Sequence, residues 1–318
     1  MQPSSVPRGK LIVAHPDRKA QRALQRIVGA TQCPIEVVDN LNALVKLADE
    51  QTIAVVDASL AQAHPALCKT PARAWIAVPG EGIGPAEGPV VDALLAAGWN
   101  HVISHPMPIL AEELLSTVQK LLRKDPYGLE KYMTWGAEVR CYTLEDARDR
   151  DDAVSSLARD VISVGLPDRV GSLVSVIADE LLANALYIAP VDPAGARIRS
   201  AEPRDRSRSL SGRDVVTVRW ATDARYLAIE VRDRWGSIDL PSIAPRLAAG
   251  GKQATASEGG MGMPLAYACC NQFVVGCAPG DLTEVIALLD VRYKPTELGR
   301  SASFHTFSGS FDAGGESS

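Results

Sequence analysis

From Lys10 onward the chain alternates short apolar runs with amphipathic stretches. Leu11-Ile12-Val13-Ala14 predicts a buried strand, and residues 18–28 place Ala20, Leu24, Ile27 and Val28 at helical spacing. The same alternation predicts strands over 35–38, 53–56, 74–78 and 102–104, with Asp57 closing the run at 53–56. Helices are expected over 41–49, 90–97 and 109–122. Strands that alternate with helices need crossover connections, so this half reads as α/β, with a parallel sheet covered on both faces.

The pattern breaks at Lys124-Asp125-Pro126-Tyr127-Gly128, which sets a boundary between a domain over 8–124 and a second over 125–297. The first fits a flavodoxin-like doubly wound unit. In the second, a strand over 137–144 and a helix over 152–164 precede a long helix through Val174, Ile177, Leu181 and Leu182. Residues 191–213 are polar, carry six arginines and predict a solvated insertion that could dock an acidic partner. Strands over 215–220 and 226–232 read as a hairpin. A Gly-rich stretch, a helix over 265–270 and strands over 273–277 and 284–291 complete an α+β order with one sheet face covered. Residues 298–318 read as a flexible tail, in which Ser303-Phe304-His305-Thr306-Phe307 is either an edge strand or loose.

Composition narrows the classes. The 318 residues suit two domains, and the 46% hydrophobic and 22% charged content is that of a globular chain. A net charge of −5 speaks against a general nucleic-acid binder. No signal peptide or long apolar run is read, which predicts no membrane partner and a cytoplasmic location. The six cysteines lack C-x-x-C spacing and read as reduced, mostly buried thiols.

Four segments of the second half carry candidate chemistry. In Asp179-Glu180-Leu181-Leu182-Ala183-Asn184, Glu180 and Asn184 are four apart on one helix face, where a carboxylate and an amide oxygen suit a hard cation such as Mg²⁺. Asp233 ends a strand and is followed by Gly236; an acid there can accept a hydrogen bond from an exocyclic amine, and glycine admits a ring close to the backbone. Gly259-Gly260-Met261-Gly262-Met263-Pro264 feeds a helix whose first N–H groups suit an anion. Gly280-Asp281-Leu282-Thr283 is a turn whose threonine begins the last strand of the domain.

In this order the segments resemble the N, G1 and G2 boxes of the GHKL (histidine-kinase-like) ATPase superfamily, closed by the threonine of its penultimate-strand turn, over roughly 128–295. That resemblance implies a GHKL ATPase-type α+β sandwich binding ATP and Mg²⁺. It assigns Mg²⁺ to Asn184, with Glu180 beside it as an outer-sphere group and as catalytic base. It assigns adenine to Asp233, directly and through water with Thr283, and phosphate passage to Gly260 and Gly262 beneath a lid at about 237–258. The chain departs from the family where Arg234-Trp235-Gly236 shifts the G1 glycine by one position and where Glu258 replaces a glycine, a charge that Lys252 or Arg246 would have to offset.

The first half resembles a response-regulator receiver that keeps only the acceptor, Asp57. His15-Pro16 stands where an acidic pair should, Val78 or Pro79 where the hydroxyl should, and His105 where the lysine should. This predicts a pseudo-receiver used for docking, with a homodimer as one arrangement. A metal site of His15, His101 and His105 is the alternative reading of the same residues. No histidine lies between Asp125 and Asp179, so a sensor-kinase phosphoacceptor is excluded, and the lead-in resembles anti-sigma-factor serine kinases instead. Three functions stay open: an ATP-gated signalling module of two-component or anti-sigma type that regulates a protein partner, a protein serine/threonine or histidine kinase acting in trans, and a scaffold that binds no nucleotide.

Overall fold

The computed structural model describes residues 9–80, 87–250, 262–292 and 301–311. The protein is mixed α/β, and its chain divides into two compact units, Met1–Pro126 with Gly299–His305, and Tyr127–Leu298 with Thr306–Ser318.

In the first unit, β1 (Lys10–Ala14), β2 (Ile35–Val38), β3 (Thr52–Asp57), β4 (Ala74–Val78) and β5 (His101–Val102) lie parallel in the order β2-β1-β3-β4-β5. Alternate residues of the central strands divide between two faces. Leu11, Val13, Ile53, Val55, Ile76 and Val78 pack beneath α1 (Arg18–Gly29) and α5 (Ile109–Arg123). α2 (Leu41–Leu47), α3 (Ala58–Ala63) and α4 (Gly88–Ala96) complete the helices described here. Asp17 caps α1 by accepting from the N–H groups of Lys19 and Ala20, and those bonds hold its carboxyl below the ordinary range. The α3 turn was not expected; its Ala58-Ser59-Leu60-Ala61 is too short for a periodic signal, and Asp57 starts it by capping the Leu60 N–H at 3.0 Å.

In the second unit, β6 (Val139–Thr143), β7 (Thr217–Thr222), β8 (Tyr226–Asp233), β9 (Gln272–Ala278) and β10 (Leu282–Asp290) form antiparallel pairs in the order β9-β10-β8-β7-β6. α6 (Arg150–Ser163), α7 (Asp168–Ala183) and α9 (Gly262–Ala268) pack together, α7 against β8. Gly171 lets α6 and α7 approach: a Cβ there would stand 2.8 Å from Ile162 Cδ1. The helical run Asp168–Ile188 is long and apolar enough to cross a bilayer, but half of it is buried inside the protein, with Val174, Ile177 and Leu182 wholly buried.

Two expectations are corrected. Residues 298–318 are not all a flexible tail, because Ser303–Ser308 forms β11, buried from Ser303 to Phe307. Phe304 and His305 pair antiparallel with Val102 and His101. The sequence left residues 303–307 open between an edge strand and a loose segment, and their unbroken burial carries no alternation that could have decided it. The insertion at 191–213 is not simply a solvated loop. Asp146 accepts from the Ser207 hydroxyl and the Arg208 N–H at 2.7 and 3.0 Å, and Arg199 grips Asp214 with both terminal nitrogens.

Candidate functional site

Three of the site residues expected from sequence meet at one cavity of ≈ 230 Å³ in the second unit. Asn184, Asp233 and Thr283 all line it, arriving from the end of α7, the end of β8 and the start of β10. Strand register explains two of them, because Thr283 is paired directly with Asp233 across β10 and β8. Period-2 alternation places Val231 and Val285 on the same face, and both also line the cavity. Leu181, Ile188, Ile243, Leu247 and Met263 add apolar wall, and Arg197, Ser237, Asp239, Ser242 and Arg246 add polar groups, so the cavity is lined by both kinds.

Asp233 is buried, and that burial pushes its carboxyl up to about 6, opposed by hydrogen bonds from the Trp235 and Gly236 N–H groups, by Thr283 and by Arg213. The Trp235 N–H donates to Oδ1 at 2.8 Å. The Thr283 hydroxyl lies close enough to favour the carboxylate, yet its buried oxygen makes no well-formed hydrogen bond among the described residues. A buried hydroxyl left over in a ligand-sized cavity invites a partner from outside the chain.

Asn184 sits where α7 gives way to one π turn (Asn184–Ile188), marked by the Ala189 N–H donating to the Asn184 carbonyl at 2.8 Å. Such turns gather at functional sites. The Asn184 amide nitrogen donates to the Glu180 carbonyl at 2.9 Å, so its side-chain oxygen is the atom left for a ligand. Glu180 is half-buried and does not line the cavity; burial and the neighbouring Asp179 raise its pKa. It faces the start of α9, where a Cβ on Gly262 would overlap Glu180 Oε2 and stand 3.2 Å from Asn184 Nδ2. Gly262 thus lets α9 seat against the Glu180–Asn184 face.

The remaining glycines divide. Gly236 does not line the cavity. Its φ is +53°, and a Cβ there would overlap the Ala278 carbonyl and stand 2.7 Å from the Gly280 nitrogen. Its role is to bring the loop after β8 against the β9–β10 turn, where the Gly280 N–H donates to its carbonyl at 3.0 Å. Gly260, Lys252 and Glu258 lie outside the described residues. The expected lid at 237–258 is helical over α8 (Leu240–Ala248), whose Ile243, Arg246 and Leu247 line the cavity. Alternation along β8 and β10 would have found Val231 and Val285 from sequence; α8 gave no such signal, because Pro241 and Pro245 mask its periodicity.

In the first unit the residues singled out from sequence, Asp57, His15 and His105, make structural contacts. Asp57 is buried, its Oδ1 caps α3, and its Oδ2 stands 3.4 Å from His15 Nε2. Gly80 closes over that oxygen, since a Cβ there would be 2.9 Å from it. His15 Nδ1 accepts the Asp17 N–H at 3.0 Å. His105 Nδ1 lies 3.0 Å from both Glu113 Oε2 and Ser303 Oγ. Burial pushes Glu113 up, but hydrogen bonds from His105 and from His305 (2.8 Å) outweigh it and hold the carboxyl at about 2. The alternative metal site is therefore not formed: His15 pairs with Asp57, His101 stacks on His305, and no group of three or more His, Cys, Asp or Glu is placed to hold a metal among the described residues. Sequence reasoning missed Glu113, which joins the nearby His105 to His305 from the far end of the chain.

Comparison with protein-family models and with curated protein sequences finds no match.

Proposed function

We propose that the second unit is a GHKL-type nucleotide-binding domain whose cavity holds the adenine of Mg·ATP, and that the first is a flavodoxin-like pseudo-receiver. The observation that carries this reading is the cross-strand pair of Asp233 and Thr283 in a cavity that Asn184 also lines. An ionised Asp233 accepts the exocyclic amine of adenine, while the unsatisfied Thr283 oxygen takes a ring nitrogen's bridging water or the same amine. Asn184 would offer one oxygen to Mg²⁺, and Glu180 stands outside the cavity. Bound ATP supplies a transferable phosphoryl group, and everything else the chain's own residues do is bind and orient. The parallel order β2-β1-β3-β4-β5 and the antiparallel sheet carrying α6, α7 and α9 support the two fold assignments.

On this reading the protein is a cytoplasmic signalling module in which nucleotide occupancy changes the surface offered to a protein partner. One observation favours a kinase as the second reading. Glu180 lies one turn before Asn184, has a raised pKa and makes no ion pair among the described residues, as a base for an acceptor hydroxyl would. The test is discrimination at the amine. ADP binds, and inosine diphosphate, which carries a carbonyl in place of the amine, binds at least ~10-fold more weakly because two acceptors then face each other. Equal affinities for the two would remove Asp233 from base recognition.

A further inference from the structure

The first unit buries a cluster of ionisable side chains that nucleotide binding does not use. His101, His105, Glu113, Lys120 and His305 are each at most 6% exposed, and Ser104 and Ser303 are buried with them. They come from β5 and the loop after it, from α5 and from β11. Glu113 stands at the centre, with Oε1 2.8 Å from His305 Nε2 and Oε2 3.0 Å from His105 Nδ1. Ser303 Oγ lies 3.0 Å from His105 Nδ1 and accepts the Ser104 N–H at 2.9 Å. Side chains therefore tie Ser303 and His305 to β5 and α5, in addition to the backbone pairing of Phe304 and His305 with Val102 and His101.

The geometry limits how many protons this cluster can hold. An ionised Glu113 only accepts, so His305 Nε2 carries the hydrogen between them. The other nitrogen of that ring, Nδ1, stands 3.4 Å from His101 Nδ1, with the ring centroids 5.6 Å apart. One proton fits between two nitrogens at that distance, and a second would set two N–H groups head to head. At most one of the two rings can be an imidazolium while the contact lasts. The surroundings act in the same direction. Burial pushes the pKa of His101 well below the ordinary 6.5, and the charges of His305 and Lys120 add to the effect. Among the elements packed against β5, β4 carries no titratable side chain, and Asp92 of α4 is exposed, as is Glu112 of α5. Glu113 is thus the buried carboxylate that faces the imidazoles, and its pKa is already held at about 2.

We propose that this cluster is an acid-sensitive latch: double protonation of the His101–His305 pair, which the closed contact forbids, releases Ser303–His305 from β5. Once the strand leaves, each ring meets water and takes up its own proton, so the open state binds at least one proton more than the closed state. Above the ordinary histidine value of 6.5 that difference is absent and the strand stays docked. Below it, the open fraction grows about tenfold per pH unit. Glu113 extends the trend in acid, because its carboxyl is protonated near 4.5 in the open state and only near 2 in the closed one.

Hydrogen-exchange mass spectrometry on the full chain between about pH 8 and about pH 5 reads the opening, once rates are corrected for the intrinsic pH dependence of amide exchange. Protection in peptides spanning 303–305 is expected to fall about tenfold per unit below 6.5, while β1 and β3 of the same unit change by less than about threefold. His101→Gln keeps a hydrogen-bonding group but cannot titrate, and it is expected to flatten the profile above about pH 5; His305→Gln, a second variant, is expected to do the same. Circular dichroism checks that both fold. Protection that is independent of pH or rises with acid in the unaltered chain would overturn the proposal, whatever the variants do. So would a loss shared equally by β1 and β3, or a folded His101→Gln chain whose profile is as steep as the parent's.

Discussion

Asp233 shows what a buried carboxylate costs its own fold. Its carboxyl is buried against Val231, Val285 and the Thr283 hydroxyl, and it titrates near 6 in place of its ordinary 3.8. Between those values the folded chain keeps a proton that the unfolded chain has lost, so stability falls as pH rises through that window and stays reduced above it. A shift of this size corresponds to ~3 kcal/mol at neutral pH. Asp233→Asn is therefore expected to stabilise the second unit toward denaturant at pH 7, by up to ~3 kcal/mol, with the gain vanishing below about pH 4. Urea unfolding of both chains at pH 4 and pH 7 reads this directly; a variant less stable than the parent at pH 7 would mean that Asp233 serves the fold. A residue that weakens the fold and is matched to a cavity points to a ligand. The type and position of Asp233 were legible in the sequence; its burial was not, because Thr283 reaches it only through the pairing of two strands far apart in the chain.

At the scale of elements, β8 and β10 carry different chemistry on their two faces. One face presents Val231, Asp233, Thr283 and Val285 to the cavity; the alternate residues Glu230, Arg232 and Glu284 are buried on the other. There the Gly128 N–H donates to Glu284 and the Leu129 N–H to Glu230, and Arg232 joins the two carboxylates at 2.9 and 3.0 Å. Burial, and each carboxylate's effect on the other, raise Glu230. Gly276 makes room for Tyr127, whose ring would stand 2.9 Å from an added Cβ. Tyr127 and Gly128, at the end of the boundary segment read over Lys124 to Gly128, are thus part of the second unit's packing, and composition alone could not reveal that. The α3 cap makes the matching case in the first unit. With Oδ1 of Asp57 on the Leu60 N–H and Oδ2 between His15 and Gly80, Asp57 is a helix cap. Incubation with acetyl phosphate and Mg²⁺ is expected to leave Asp57 unphosphorylated by mass spectrometry, and Asp57→Ala to cost about 1 kcal/mol in thermal or urea unfolding. Stoichiometric phosphorylation would show that Asp57 is a phosphoryl acceptor and not only a cap.

Across the molecule, periodicity read most of the strand and helix order because each long element has one buried face. It failed where an element was short, as in α3, or interrupted by proline, as in α8. It also failed where burial depended on distant partners, as in β11, whose His305 is held by Glu113. The candidate site was legible as separate segments in order, with Asn184, Asp233 and Thr283 meeting at the cavity, Gly236 and Gly262 serving close packing, and Glu180 outside it. The central claim is that these segments form one nucleotide site. A calorimetric titration with a non-hydrolysable Mg·ATP analogue, run on the full chain, on Asn184→Ala and on Asp233→Asn, tests it most directly. The account predicts one saturable site, weakened at least ~10-fold by each substitution while both variants remain folded. Binding that neither substitution alters, or no binding by the unaltered chain, would contradict it.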